Sequence, residues 1–190
     1  MITVTTDKRE AILRATLNLV SERGFHGAPM SMIAKEAGVS AGIIYHYFEN
    51  KDELITELYK ELKRNLAQAV LANYSNDLPL YERFRLFWLN AVLYYIGHPK
   101  ETAFMEQFAN SPYLQPGIEE MSEEYFRPVM EFMTHALREG VITPLPPQML
   151  SAFTLEIAIS LAKKDANGIL PLDEDALEMA MNACWDAIKR

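Results

Sequence analysis

One cysteine, Cys184, stands among 190 residues. A single thiol excludes an internal disulfide and fits a reducing compartment. On a helix face it reads as a small apolar residue rather than a redox centre. Long apolar runs are also missing. The most apolar stretch, residues 149–162, holds Glu156 and is too short and too polar to span a bilayer. The opening MITVTTDKRE has no basic stretch followed by an apolar run, so no secretory signal and no membrane partner are expected, and the expected location is the cytoplasm. Strand-like alternation is scarce, and neither internal repeats nor low-complexity segments occur. Nothing resembles a glycine-rich phosphate loop, a paired Cys/His metal spacing, or a nucleophile with a placed base. No catalytic residue, metal or cofactor is therefore expected, and the chain does not read as an enzyme.

Positive charge is scarce as well. The net charge is −8, which at first sight argues against a nucleic-acid partner. The distribution of that charge points the other way. Residues 1–51 hold six Lys/Arg and five Asp/Glu, a net of +1, whereas residues 52–190 hold twelve and twenty-one, a net of −9. The acidic load sits on the larger part, where it favours solubility and repels DNA from the wrong face. Because the amino-terminal part is only weakly basic, DNA binding there has to come from placed donors.

What is present is helical period almost everywhere, which predicts an all-α protein of nine helices. The first spans about 7–23, with Ile12, Ala15, Leu19 and Val20 in one stripe and Gly24 as its stop. The second spans 29–37, with Pro29 at a first helical position. A turn at Gly38 and Val39 leads to a third, with Ser40 as N-cap, ending near Phe48. Later helices are expected at 52–73, 77–97 and 100–110, then one long helix reaching 139, and a final pair at 147–167 and 173–188. Residues 1–51 form the expected head and 52–190 the body.

The head carries the informative motif. Ile33, Ala34, Ala37, Val39, Ile44 and Phe48 have the spacing to bury against Ile12, Leu19 and Phe25, which builds a three-helix core around a helix-turn-helix. Left outside are Ala41, Gly42, Ile43, Tyr45, His46 and Tyr47, where a solvated helix would carry Glu and Lys. Exposed apolar and aromatic groups call for a partner. On double-stranded DNA each has a task. Ala41 and Gly42 permit close approach to base edges, Ile43 meets a thymine methyl, and His46 donates to a base or phosphate. Tyr45, Tyr47, Lys51 and the N–H groups opening the second helix grip phosphates. The alternative for this face is a sticky protein-interaction head.

AGVSAGIIYHYFENKDEL, residues 37–54, resembles the signature of TetR/AcrR-type transcriptional repressors. GFHGAPMSMIAKE before it and the first-helix run AILRATLNLVSERG fit as well, so the resemblance covers about residues 8–60 and is specific. It implies an all-helical homodimer with a helix-turn-helix head and a ligand-binding, dimerising body. By resemblance Ser40, Ala41, Gly42, Ile43, Tyr45 and His46 fall on the DNA-reading helix, with Tyr45, Tyr47 and Lys51 on phosphate positions. This chain departs from the family at Ala28 and Pro29, where Thr or Ser is usual, so a hydroxyl cap and its phosphate contact are absent.

The body is rich in Phe, Tyr, Trp and Met, which fill cores and also line adaptable apolar pockets. Tyr59 and Lys63 lie one turn apart on one face of the fourth helix. DELITELYKELKRNL, residues 52–66, resembles the helix that touches the drug in repressors controlling multidrug efflux. Tyr59, Lys63, Trp88, Phe108 and Glu156 are the candidate ligand residues for a small hydrophobic ligand. Glu156 has two readings, a partner for a cationic ligand or a carboxylate reaching solvent or Lys163. The last two helices, with Phe153, Ile157, Leu161, Leu177, Met181, Cys184 and Trp185, have the pattern of a homodimer interface. The expected function is a repressor that holds an inverted-repeat operator as a dimer and is released by ligand. Two alternatives stay open: a DNA-binding dimer without an effector, and a small all-α carrier or enzyme.

Overall fold

A computed structural model describes residues 3–190, with the side chains of residues 3–7 and 119 outside the description. Among the described residues eleven helices follow one another: α1 (Thr3–Arg23), α2 (Met30–Ala37), α3 (Ala41–Tyr47), α4 (Lys51–Val70), α5 (Leu80–Gly97), α6 (Pro99–Ala109), α7 (Pro116–Tyr125), α8 (Arg127–Arg138), α9 (Pro147–Phe153), α10 (Leu155–Ala166) and α11 (Glu174–Ile188). Among the described residues the only β pairing is an isolated bridge between Ile142 and Lys189. None of their helices is long and apolar enough to cross a membrane. The chain divides into two compact units, one of residues 1–63 and 100–120, the other of 64–99 and 121–190.

Two helices beyond the expected nine arise from breaks inside long periodic stretches. The first falls at Phe126, where Pro128 lies in the first turn of α8; proline lacks an N–H and restricts the residue before it, so the helical ladder restarts there. The second falls at Thr154, with φ −127° and ψ −81°. Its hydroxyl donates to the Leu150 carbonyl at 2.6 Å. Its own carbonyl accepts from the Trp88 indole Nε1 at 3.2 Å. A buried indole N–H needs an acceptor, and the Thr154 carbonyl, which also accepts the Ala158 N–H at 3.2 Å in the first turn of α10, supplies it.

In the first unit α1 packs on α2 and α3. Ile12, Ala15, Leu19 and Val20 are buried with Ile33, Ala34, Ile44 and Phe48, as the period reads; Leu13 joins them, and Ala37 and Val39 are only half-buried, at the edge of the turn. Thr16, buried in the same stripe, satisfies its hydroxyl on the Ile12 carbonyl at 2.8 Å. Phe25 departs from expectation. It is only half-buried, and its ring turns to Phe104 and Tyr113, with centroids 5.9 and 5.0 Å away. The head core therefore continues into α6 and the connection after it. Gln107 donates to the Val20 carbonyl at 3.3 Å, and Lys100 reaches Asn18 at 2.9 Å and Glu22 at 3.2 Å.

In the second unit α5 is central, packed on α8, α10 and α11. Phe84, Phe87, Trp88, Ala91, Val92, Tyr94 and Tyr95 are all buried on it. Phe87 meets Phe132 at 5.5 Å, and Phe84 meets Trp185 at 5.0 Å. Arg83 closes the connection before α5 by donating to the carbonyls of Leu78, at 2.8 Å, and Asn76. Cys184 is buried at 1% exposure, and burial pushes its thiol up to about 11. The small apolar reading of this residue stands.

Candidate nucleic-acid interface

The α2–α3 turn is built by one glycine. Gly38 has φ 67°, a left-handed conformation that costs an L side chain roughly 1–2 kcal/mol. Its N–H bonds back to the last turn of α2, and Val39 N–H reaches the Ala34 carbonyl at 3.0 Å. This closure ends α2 and re-aims the chain within two residues. Ser40 then occupies the N-cap of α3 with extended backbone, yet its side chain makes no cap hydrogen bond. The position is as expected and the capping bond is not. At the other end of the motif Pro29 is the N-cap of α2, again without a side-chain bond. With Ala28 fully buried, no hydroxyl exists there to cap the helix or meet a phosphate.

Within α3 only Ile44 is buried. Ala41, Gly42 and His46 are exposed, Ile43 and Tyr47 are half-buried, and Tyr45 is 55% exposed. Gly42 adds a separate observation. A Cβ built on it would meet nothing closer than Ser40 Oγ at 3.9 Å, and its φ is not in the left-handed region. The fold thus has room for a side chain here, and a glycine in a helix is otherwise a loss of backbone entropy. His46 and Tyr47 sit edge to face at 5.2 Å, which limits their rotation.

Lys51 opens α4 and is held from two sides. Asn50 acts as cap, accepting from the Glu53 N–H at 2.9 Å, while the Glu53 carboxylate accepts from the Glu49 N–H at 2.5 Å. Glu53 thus takes part in both bonds, its N–H with the cap and its carboxylate with the residue before the cap, and the signal lies in the pattern Asn-Lys-Asp-Glu, which helical period by itself does not register. The Lys51 ammonium donates to the Phe25 carbonyl at 2.5 Å, a contact no local pattern announces. Burial lowers its pKa, and the charge of Asp52 pulls it back up. An ammonium has three donors, so one carbonyl leaves capacity for phosphate oxygens.

The candidate ligand residues do not form one group. Tyr59 and Phe108 are buried and stacked, with centroids 3.9 Å apart and planes at 8°. The Lys63 ammonium stands 6.0 Å from the Tyr59 centroid, and burial lowers its pKa to about 8. These three are brought together in the first unit. Trp88 belongs to the core of the second, donating to Thr154. Glu156 is exposed on α10, while Ala158 and Ala162 are the buried residues of that helix. For the expected interface helices, Leu177, Met181, Cys184 and Trp185 are buried within their own subunit, where α11 lies on α5. Helical period marks a buried stripe without saying what buries it, and here the cover is intramolecular. The apolar residues left exposed on the terminal helices include Phe153, Leu155 and Met179, the last at 73%.

A glycine-turned pair of short helices, the second presenting apolar and aromatic groups outward, defines a helix-turn-helix regulator of transcription. Comparison with known proteins gives the family. The model described as "Bacterial regulatory proteins, tetR family" matches residues 12–58, and that described as "Tetracyclin repressor-like, C-terminal domain" matches residues 79–189. The chain belongs to the TetR family of DNA-binding transcriptional regulators. A helix-turn-helix-type transcriptional regulator of Haemophilus influenzae is 28% identical over 97% of both chains. A solved TetR-family regulator from Marinobacter aquaeolei superposes with a TM-score of 0.95 at 26% identity, covering 100% of this chain and 99% of that one. Another from Vibrio parahaemolyticus gives 0.84 at 37% identity, covering 96% and 99%.

Proposed function

We propose that this chain is a repressor that holds an inverted-repeat operator as a homodimer and releases it when a small hydrophobic ligand binds its body. The observation that carries the reading is the outward face of α3, where Ala41, Gly42 and Tyr45 are exposed on a helix with a single buried residue. In this reading Ser40 to Ile43 and His46 approach base edges in the major groove, and Tyr45, Tyr47 and Lys51 hold phosphates. The head, residues 1–51, has a net charge of only +1, so one copy gains little from bulk electrostatics. Two copies on a two-fold axis double the placed contacts and set half-sites roughly 34–36 Å apart. The exposed Phe153, Leu155 and Met179 on the terminal helices supply apolar area for that pairing.

Tyr59, Phe108 and Lys63 are the ligand residues this reading retains, with the likeness of residues 52–66 to efflux regulators in support. Tyr59 and Phe108 are closed on each other, so a flat apolar ligand reaches them only by parting the stack. That closure equally suits the second reading, a DNA-binding dimer without an effector.

Selection of bound duplexes from a random pool, followed by anisotropy titration across a salt series, tests the DNA reading. The expected result is enrichment of an inverted repeat bound by a dimer, with affinity falling steeply as salt rises. Failure to enrich any sequence ends it. A thermal-shift screen with hydrophobic compounds then separates the two readings: a compound that raises Tm and lowers operator affinity supports the ligand-released repressor, whereas no stabilising compound favours the effector-free dimer.

A further inference from the structure

Phe25 stands in the connection between α1 and α2 and is engaged through its backbone and its ring. Its carbonyl accepts the Lys51 ammonium at 2.5 Å. The same oxygen accepts the Ala28 N–H at 3.4 Å, so the turn itself fixes where it points. Its ring is held by two others, neither of them from the helix-turn-helix. Phe104 of α6 meets it edge-on, with centroids 5.9 Å apart and planes at 76°. Tyr113, in the connection after α6, meets it at 5.0 Å and 61°.

Hydrogen bonds fasten the same region to α6. Lys100, Phe104 and Gln107 recur at helical spacing on one face of that helix. Gln107 donates to the Val20 carbonyl at 3.3 Å, and Lys100 to Asn18 at 2.9 Å and Glu22 at 3.2 Å, all near the end of α1. One turn beyond Phe104, Phe108 lies 6.3 Å from its ring and 6.0 Å from that of Tyr113. Phe108 in turn stacks on Tyr59 at 3.9 Å. A continuous row of rings therefore runs from Tyr59 through Phe108 and Phe104 to Phe25, and ends on the carbonyl that holds Lys51. Close-packed rings leave no room for one to shift alone, so a displacement at one end is passed to the other. A long lysine stem loses rotamer freedom when it is fixed, so a tether present before DNA arrives lowers the cost of binding.

We propose that Phe25 is a positioning residue for DNA binding through which α6 sets the stance of Lys51: the carbonyl tethers the ammonium, Phe104 and Tyr113 hold the ring, and parting Phe108 from Tyr59 loosens the phosphate grip. The inference rests on the reading that Lys51 grips the operator backbone. It acts within one head, whatever the spacing of the two. It also extends the DNA-binding apparatus to α6, outside the head as read from sequence.

The experiment is operator titration by anisotropy across a salt series, with the full chain and the duplex enriched from the random pool. Lys51→Ala is expected to lower affinity about tenfold and to flatten the slope of log affinity against log salt by about one, the loss of one phosphate contact. Phe104→Leu alters a ring that meets Phe25 and not Lys51. It is expected to lower affinity about threefold, the scale of leaving one long side chain to be fixed at binding, with a parental slope because the charge is still there. Combined with Lys51→Ala it is expected to add nothing, since both act on one contact. Phe25→Leu, at a half-buried position, is expected to give the same cycle and carries the test if Phe104→Leu unfolds the head. A head disturbed as a whole loses affinity equally in the parent and in Lys51→Ala. Additive losses for the ring variants therefore overturn this inference, as do parental affinities for both, and either result leaves the phosphate reading standing. Parental affinity and slope in Lys51→Ala remove the phosphate reading, and this inference falls with it.

Discussion

Aromatic side chains crowd two helices of this chain and face opposite ways. On α5, Phe84, Phe87, Trp88, Tyr94 and Tyr95 are all buried. On α3, Tyr45 is 55% exposed and Tyr47 half-buried, and the one buried residue is the aliphatic Ile44. Apolar area withdrawn from water stabilises a fold by about 25 cal/mol per Å². The aromatics of α5 contribute on that scale, whereas Tyr45 contributes little until something covers it. The same residue type is therefore evidence of a core in one helix and of a partner in the other. Exposure, and not composition, tells them apart.

The contrast is broken most sharply at Trp88. Trp88→Ala is expected to cost about 3–5 kcal/mol of stability by opening a cavity beside α5 and removing the indole donor to the Thr154 carbonyl, which keeps its bond from the Ala158 N–H. Chemical denaturation measures this, and a loss below about 1 kcal/mol would show that the residue lines an existing void. Tyr45→Ala is the mirror image. Stability should change by less than about 0.5 kcal/mol, while operator binding weakens by about 1–3 kcal/mol. Loss of both together would mean that Tyr45 serves the fold. Gly42→Ala separates the two currencies further, because the site has room for a methyl group. The fold should gain roughly 0.5–1 kcal/mol from the helix-favouring residue. Operator affinity should fall nonetheless, since the added methyl stands where base edges approach; a variant both stabler and equally tight in binding removes Gly42 from the interface.

The smallest effect concerns Lys63, whose pKa burial lowers from 10.5 to about 8. The folded chain then holds fewer protons than the unfolded chain between those two values, so stability rises with pH across that window and the penalty for burying the charge is fully present below it. Lys63→Met should raise Tm by about 2 °C near neutral pH, with the difference closing as pH approaches about 10. A difference independent of pH would show that the ammonium is solvated in the folded state.

The head was legible because its signals are local. Gly38, the N-cap position of Ser40 and the apolar stripe of α1 each act within one or two turns, and the structure has all three where the period puts them. The body was legible in helix content but not in what its helices touch. Leu177, Met181, Cys184 and Trp185 repeat with the period of a buried face, and that period is the same whether the cover is α5 or a second subunit. Phe25 was read as head core and Tyr113 carried no readable role, since their contact joins segments remote in sequence. The partner of the Trp88 indole was hidden for the same reason, as the Thr154 carbonyl lies sixty-six residues away.

That break has a mechanical consequence. Phe153 and Leu155, both exposed, flank Thr154 on the two helices that meet there. The Thr154 hydroxyl holds the Leu150 carbonyl, the acceptor an unbroken helix would give to the Thr154 N–H, and that N–H turns to the Ser151 carbonyl at 3.1 Å instead. The elbow is therefore latched from inside the chain, and the angle at which those two side chains stand on the surface is tied to the rotamer of one threonine.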